Sequence, residues 1–305
     1  MLPSFIDPLI TYYSCSKILF GYFAIMAHEP FIRLAAFLGV FLVVAVWEYL
    51  SPRRKLDTPK SSRWVSNICI TLIGTAVVRG LFPVLAVTFA ASGSTMGLLH
   101  QVPLPFFVRV IIGILALDLI IYGQHVMFHS IPLLWRLHMM HHADLDMDVT
   151  TGLRFHPVEI TLSMGIKLVA IVLVGPPVLA VILFEVLLNA TSMFNHGNIR
   201  ISAEMDRLLR FFVVTPDMHR VHHSVVILET NSNFGFNLPW WDRLFATYRA
   251  QPAAGHIEMV LGLSQFRDPK RLSLPWMLAL PFFGKTGSYP MVLRRGREPL
   301  VTRKD

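Results

Sequence analysis

Long apolar runs separated by short polar or basic connections dominate the chain. Leu34 to Leu50, Ile68 to Ala91 and Val110 to Met127 are each close to the roughly 20 residues a helix needs to cross hydrocarbon. Glu48 sits near the end of the first, Arg79 and Pro83 interrupt the second, and the third carries Asp118 and then His125. Ile160 to Val174 and Val178 to Met193 are shorter, about 15 residues or roughly 23 Å each. Gly175-Pro176-Pro177 separates them, a break that predicts a helical hairpin entering and leaving on one side of the membrane. Phe5 to Ala27, broken by Asp7, Pro8 and Lys17, is expected either to span or to lie in the interface. Leu272 to Phe283 is a short apolar stretch in a basic setting, expected at the interface. The pattern predicts an all-α, polytopic membrane bundle of about four or five membrane helices, hairpin included, with a cytosolic histidine-rich cap.

Composition agrees. Of 305 residues 54% are hydrophobic and 15% charged, against about 25% charged in a soluble domain. Mean hydropathy is +0.55. A soluble enzyme, a disordered chain and a fibrous repeat are thereby excluded. Cys15 and Cys69 make neither a disulfide framework nor a CxxC pair. The N-terminus lacks the basic start and small-residue cleavage site of a secretory signal. The net charge of +8 gathers beside the apolar runs rather than on one solvated face, which argues for a membrane surface and against nucleic acid. Arg53 to Arg63 holds five basic residues and Ser92 to Pro105 none, so the former is expected in the cytosol. His125, His129 and everything after the hairpin then fall on the cytosolic side.

The 13 histidines carry the chemistry. His125 and His129 form an HxxxH; His138, His141 and His142 form an HxxHH; His219, His222 and His223 repeat it. Residues i, i+3 and i+4 share one helical face, so each group aims its imidazoles one way. His156 and His196 mark the two ends of the hairpin. His28, His100 and His256 stand outside the pattern and are read as interface residues. Ten convergent imidazoles exceed the four of a tetrahedral zinc site and suit two ions of higher coordination. No HExxH is present, nor the Glu and Glu-x-x-His pattern of soluble carboxylate bundles. Asp118, Asp144, Asp217 and Asn198 lie within reach in sequence and are candidates for orienting the ligands.

The stretch from about Asp118 to about Gln251 resembles the fatty acid hydroxylase and sterol desaturase superfamily of membrane oxygenases. The resemblance is carried by HVMFH, HMMHH and HRVHH in that order, with RFHP and NHGN between them. The first box has three intervening residues where some members have four. The resemblance implies a non-haem di-iron centre held by His125, His129, His138, His141, His142, His156, His196, His219, His222 and His223. It also implies O2-dependent hydroxylation or desaturation of an aliphatic lipid C–H, with electrons from a separate redox partner. Beyond the metal ligands no catalytic residue is assigned. TPDMHRVHHS and the aromatic stretch Asn231 to Tyr248 lean toward sterol desaturase-like and ether-lipid-cleaving members, the latter pterin-dependent. That aromatic stretch, with Phe234, Phe236, Trp240, Trp241 and Phe245, is expected as interfacial belt and cap packing.

No Gly-rich nucleotide-binding motif and no room for a haem donor domain are present, so the electron donor is external. The expected division is an N-terminal membrane region over 1–105, a catalytic domain over 106–251 and a cytosolic or interfacial tail over 252–305. A metal transporter would spread its histidines through the bilayer, and an inactive lipid-binding scaffold would be expected to lose part of a box. The boxes are intact, and the enzyme reading leads.

Overall fold

The computed structural model describes residues 8–82, 86–91, 97–283 and 285–291, with side chains from His28 onward. Outside the described residues lie the start of the first apolar stretch, Pro83, part of the loop Ser92 to Pro105 and the basic end of the tail. Five long helices form the frame: α1 (Pro8–Leu50), α2 (Lys60–Leu81), with the short α3 (Ala86–Ala91) and α4 (Leu98–Gln101) after it, α5 (Phe106–Ser130), α7 (Pro157–Val174) and α8 (Val178–Asn195). Between α5 and α7 sits α6 (Pro132–His142). The cap adds α9 (Ala203–Leu209), α10 (Pro216–His222), α11 (Ile227–Thr230), α12 (Trp240–Leu244), α13 (Gly255–Glu258) and α14 (Leu274–Phe283). Among the described residues no strand forms; Pro52 with Ile199 and Ser224 with Leu261 make isolated antiparallel bridges.

Among the described residues five segments are long and apolar enough to cross a membrane: His28–Leu50, Lys60–Ala91, Phe106–Ser130, Pro157–Val174 and Val178–Asn195. Their outer faces are greasy. Leu42 is 63% exposed, Phe107 73% and Val169 58%, surface that only lipid covers at low free-energy cost. The protein is an integral membrane protein.

The hairpin arms are longer than the hydropathy suggests, 18 residues each, or about 27 Å at the helical rise. Polar Glu159 and Asn195 extend them beyond the apolar runs. At the bend Gly175 takes φ +64°, a left-handed cap that a β-carbon would strain, and the two prolines stop α7 from continuing. The arms hold different neighbours: α7 lies against α2, and α8 against α1 and α5. Lys167 of α7 donates to Glu185 of α8 at 2.7 Å, and Arg33 of α1 reaches the same carboxylate at 2.8 Å. The hairpin returns the chain to its starting end. His141 Nδ1 is 3.0 Å from Arg154 O just before α7, while its Nε2 is 3.1 Å from His196 just after α8.

The loop after α6 is fixed by buried charge. Arg63 of α2 donates to Asp144 through Nε and Nη2, both at 2.9 Å, and to Asp148 at 2.6 Å. Asp146 accepts from the Thr58 backbone at 2.7 Å, and Glu48 from Val149 N at 2.6 Å and Asn198 N at 2.8 Å. Charged groups are rarely wholly buried unless paired. Here the pairing ties residues 144–149 and 198 to the ends of α1 and α2.

Candidate metal centre

Two short helices and the end of α5 present the histidine boxes, and the short ones begin for local reasons. Proline occupies the first turn of α6 and of α10, where its missing N–H costs nothing, and Thr215 caps α10 by accepting from Met218 N at 3.3 Å. The third box lies on the last two turns of α5, which carry His125 and His129 one turn apart.

Nine imidazoles converge in two groups. His125, His129, His138, His142 and His222 form one; His141, His196, His219 and His223 form the other. Within each group the ligand atoms all lie within 4.8 Å of one another, and every residue is buried. The HxxHH boxes are divided between the groups: His138 and His142 go one way and His141 the other, and His222 parts from His219 and His223.

The outward-facing nitrogens fix the tautomers. Nδ1 of His125 is 2.8 Å from Phe234 O, Nδ1 of His222 2.7 Å from Ser232 O, and Nδ1 of His196 2.7 Å from Ser192 O. His141 Nδ1 faces Arg154 O. His138 Nδ1 is 2.6 Å from the Glu159 carboxylate. Each partner is an acceptor, so each Nδ1 carries the proton and each Nε2 presents a lone pair. These lone pairs face one another. His125 and His138 approach Nε2 to Nε2 at 3.1 Å, as do His222 with His125 and His196 with His141. No proton is available between them, so the contacts are repulsive until a cation stands among them. Two nitrogens about 2.1 Å from one ion at right angles stand about 3.0 Å apart, close to these separations. The donor set therefore fits a pair of metal ions of the imidazole-binding kind.

Electrostatics favour the same state. Burial, then mutual repulsion, pushes His141, His142, His219 and His223 well below the usual imidazole range. Burial takes His222 down to about 3 and His196 to about 4. All six are neutral bases near neutral pH, the form that can ligate a metal.

His156 is elsewhere. Its Nδ1 accepts from Val158 N at 3.2 Å, capping α7, and its Nε2 lies 3.3 Å from Leu278 O. With one nitrogen accepting and the other donating, no lone pair remains for a metal. The four candidates for orienting ligands also turn away. Asp118 accepts from Trp241 Nε1 at 2.8 Å and Leu238 N at 3.3 Å. Asp144 is held by Arg63; burial pushes its carboxyl up, and Arg63 with Arg154 overcomes that and holds it below the usual range. Asp217 pairs with Arg53 and Arg220. Asn198 exchanges hydrogen bonds with the Arg54 backbone.

Among the described residues, the side chains outside the two groups that hydrogen-bond their histidines are Glu159, on His138, and Asn231, whose Oδ1 is 3.1 Å from His129 Nδ1. Glu159 had a readable signal, an acid in the first turn of a membrane helix; Asn231 had none. Part of the aromatic stretch lines the centre rather than a belt. Phe234 is fully buried, its ring 5.1 Å from His129 and 5.6 Å from His125. Asp242 clamps that turn, accepting from Phe234 N at 2.7 Å and Gly235 N at 2.8 Å. Burial takes the Asp242 carboxyl up to about 6 despite these donors. Trp135 and Phe155 close other sides, 4.7 Å from His129 and 4.5 Å from His141. Trp240 and Phe245 are the exposed members.

A sequence model of the fatty acid hydroxylase family matches residues 110–247. An ornithine lipid hydroxylase of Rhizobium tropici is 25% identical over 248 residues, 78% of this chain and 73% of that protein. Alkylglycerol monooxygenases of Xenopus tropicalis and Homo sapiens are 28% and 27% identical over 139 and 142 residues. Those alignments cover 44% and 45% of this chain but only 29% and 30% of the relatives' length. No solved structure matches.

Proposed function

The chain belongs to the fatty acid hydroxylase superfamily, and from that premise we propose that it hydroxylates or desaturates an aliphatic C–H of a membrane lipid with O2 at a histidine-held di-iron centre. The observation that carries the reading is the convergence of nine buried imidazoles, with facing Nε2 lone pairs that repel unless cations lie between them. His125, His129, His138, His142 and His222 would hold one ion, and His141, His196, His219 and His223 the other. Bound iron supplies the reductive activation of O2, which no side chain can perform.

The protein's own groups do the rest. Backbone carbonyls of Phe234, Ser232, Arg154 and Ser192 keep four ligands in the metal-binding tautomer. Glu159 puts a negative charge on His138 and partly balances the ions. Phe234, Phe155 and Trp135 exclude water, which protects a strong oxidant from side reactions. Electrons come from a separate redox partner. The active site faces the cytosol, on the charge asymmetry of Arg53 to Arg63.

Expression in a host lacking the activity, followed by lipid mass spectrometry, tests this. The expected result is a lipid species gaining one oxygen or losing two hydrogens, absent with His219→Ala. An unchanged lipid profile in an iron-loaded, reductant-supplied preparation would favour a non-catalytic scaffold.

A further inference from the structure

A second polar site lies away from the histidines, where the ends of α1 and α8 meet α9 and α10. It is a cavity of about 470 Å³ whose lining includes Arg53, Arg200, Arg207 and Arg210 together with Asp206 and Asp217. Four guanidiniums against two carboxylates leave two positive charges in excess. Both carboxylates are already engaged, Asp217 by Arg53 and Arg220, Asp206 by Arg210 at 2.7 Å. Arg200 and Arg207 form no ion pair with a carboxylate among the described residues.

Two buried groups in the wall have nitrogen atoms without a hydrogen-bond partner. Arg210, 4% exposed, donates Nη1 to Ala250 O at 2.7 Å but leaves Nη2 without an acceptor. His256, 7% exposed, has no hydrogen bond on either ring nitrogen, the Asp217 carboxylate standing 3.7 Å from its Nε2. Buried polar atoms are normally satisfied, and donors left open beside two unpaired arginines are what an anion would complete.

The depth of the cavity indicates where that anion comes from. Arg53 follows the end of α1 at Leu50, Arg200 follows the end of α8 at Asn195, and the Pro52–Ile199 bridge joins them. Both arginines therefore sit at the edge of the hydrocarbon, at headgroup level. Beside them α9 and its continuation expose Leu208, Phe211 and Phe212, at 54%, 56% and 64%. Arg243 lies over the Phe211 ring at 5.6 Å and donates to Arg210 O at 3.0 Å, so the apolar patch and the basic cavity are contiguous. Aromatic and basic groups side by side are the signature of a surface resting in the interface.

We propose that this cavity binds the anionic headgroup of a membrane lipid, through Arg200, Arg207, Arg210 and His256. The site is independent of the oxygenase reading, because its ligand is held by arginines and its test needs no metal.

Native mass spectrometry of the detergent-purified full chain, titrated with phosphatidylglycerol or phosphatidylcholine, reads it directly. The anionic lipid is expected to bind selectively, with affinity falling about tenfold or more in Arg200→Ala/Arg207→Ala as two charge-assisted contacts are lost. Lys55→Ala/Lys270→Ala, which removes the same charge elsewhere, is expected to leave binding within about twofold. Equal retention of both lipids, or equal loss in the two double variants, would reduce the effect to diffuse surface charge and overturn the proposal. Inorganic phosphate binding as tightly as the lipid would overturn the lipid assignment. Both variant pairs change solvent-facing side chains, so folding is preserved, and unchanged thermal unfolding checks that.

Discussion

Among the described residues Glu159 is the one carboxylate hydrogen-bonded to a histidine of the metal groups, and its removal is the most informative perturbation of the site. Its Oε1 lies 2.6 Å from His138 Nδ1, with side chains 6% and 3% exposed. Its Oε2 has no hydrogen-bond partner, so His138 is its one side-chain hydrogen-bond partner among the described residues. A hydrogen bond to a charged group contributes about 1.5–3 kcal/mol. That converts to roughly tenfold to a hundredfold in affinity, the range by which groups supporting metal ligands act. Glu159→Gln keeps the shape and an acceptor but removes the charge, and about tenfold weaker metal binding is expected. Glu159→Ala also frees the His138 ring, and about a hundredfold is expected. Competition with a chelator of known affinity measures both, with helical circular dichroism as the check on folding. A folded Glu159→Ala protein that holds metal within about twofold of wild type would refute the tautomer argument from which this follows.

Other consequences are equally concrete. His156→Ala should keep full metal content and lose only the cap on α7, about 0.5–2 kcal/mol of stability; loss of metal on that change would return His156 to the ligand set. Arg63→Ala leaves Asp144 and Asp148 buried without their cation and should cost about 3–5 kcal/mol, read as a large drop in unfolding temperature. Because Asp144 titrates lower folded than unfolded, its stabilisation is present above the ordinary aspartate range and is lost as pH falls through the depressed folded value. Asp144→Asn should flatten that acid limb, and an unaltered acid unfolding profile would contradict the pairing.

The histidine boxes were legible because i, i+3 and i+4 spacing needs only a helix, and the hairpin because Gly175-Pro176-Pro177 stops one locally. The division of each HxxHH between two groups was not, since it depends on how α5, α6 and α10 meet. Nearness in sequence misled at Asp144 and Asp217: each lies two residues from a box, yet each side chain turns toward arginine. His156 was drawn in by its place at the hairpin mouth, but Pro157 starts the helix there and the backbone claims the ring as its cap. Glu159, Asn231 and Phe234 reach the centre only through tertiary register.

Metal content of the detergent-purified full chain tests the central claim most directly. About two ions per chain are expected, one for each histidine group, with both lost in His138→Ala/His141→Ala/His142→Ala. His196→Ala, which touches only the group of four, should lose one. A folded wild-type protein that carries no metal and takes up none on anaerobic reconstitution with ferrous iron would contradict the account.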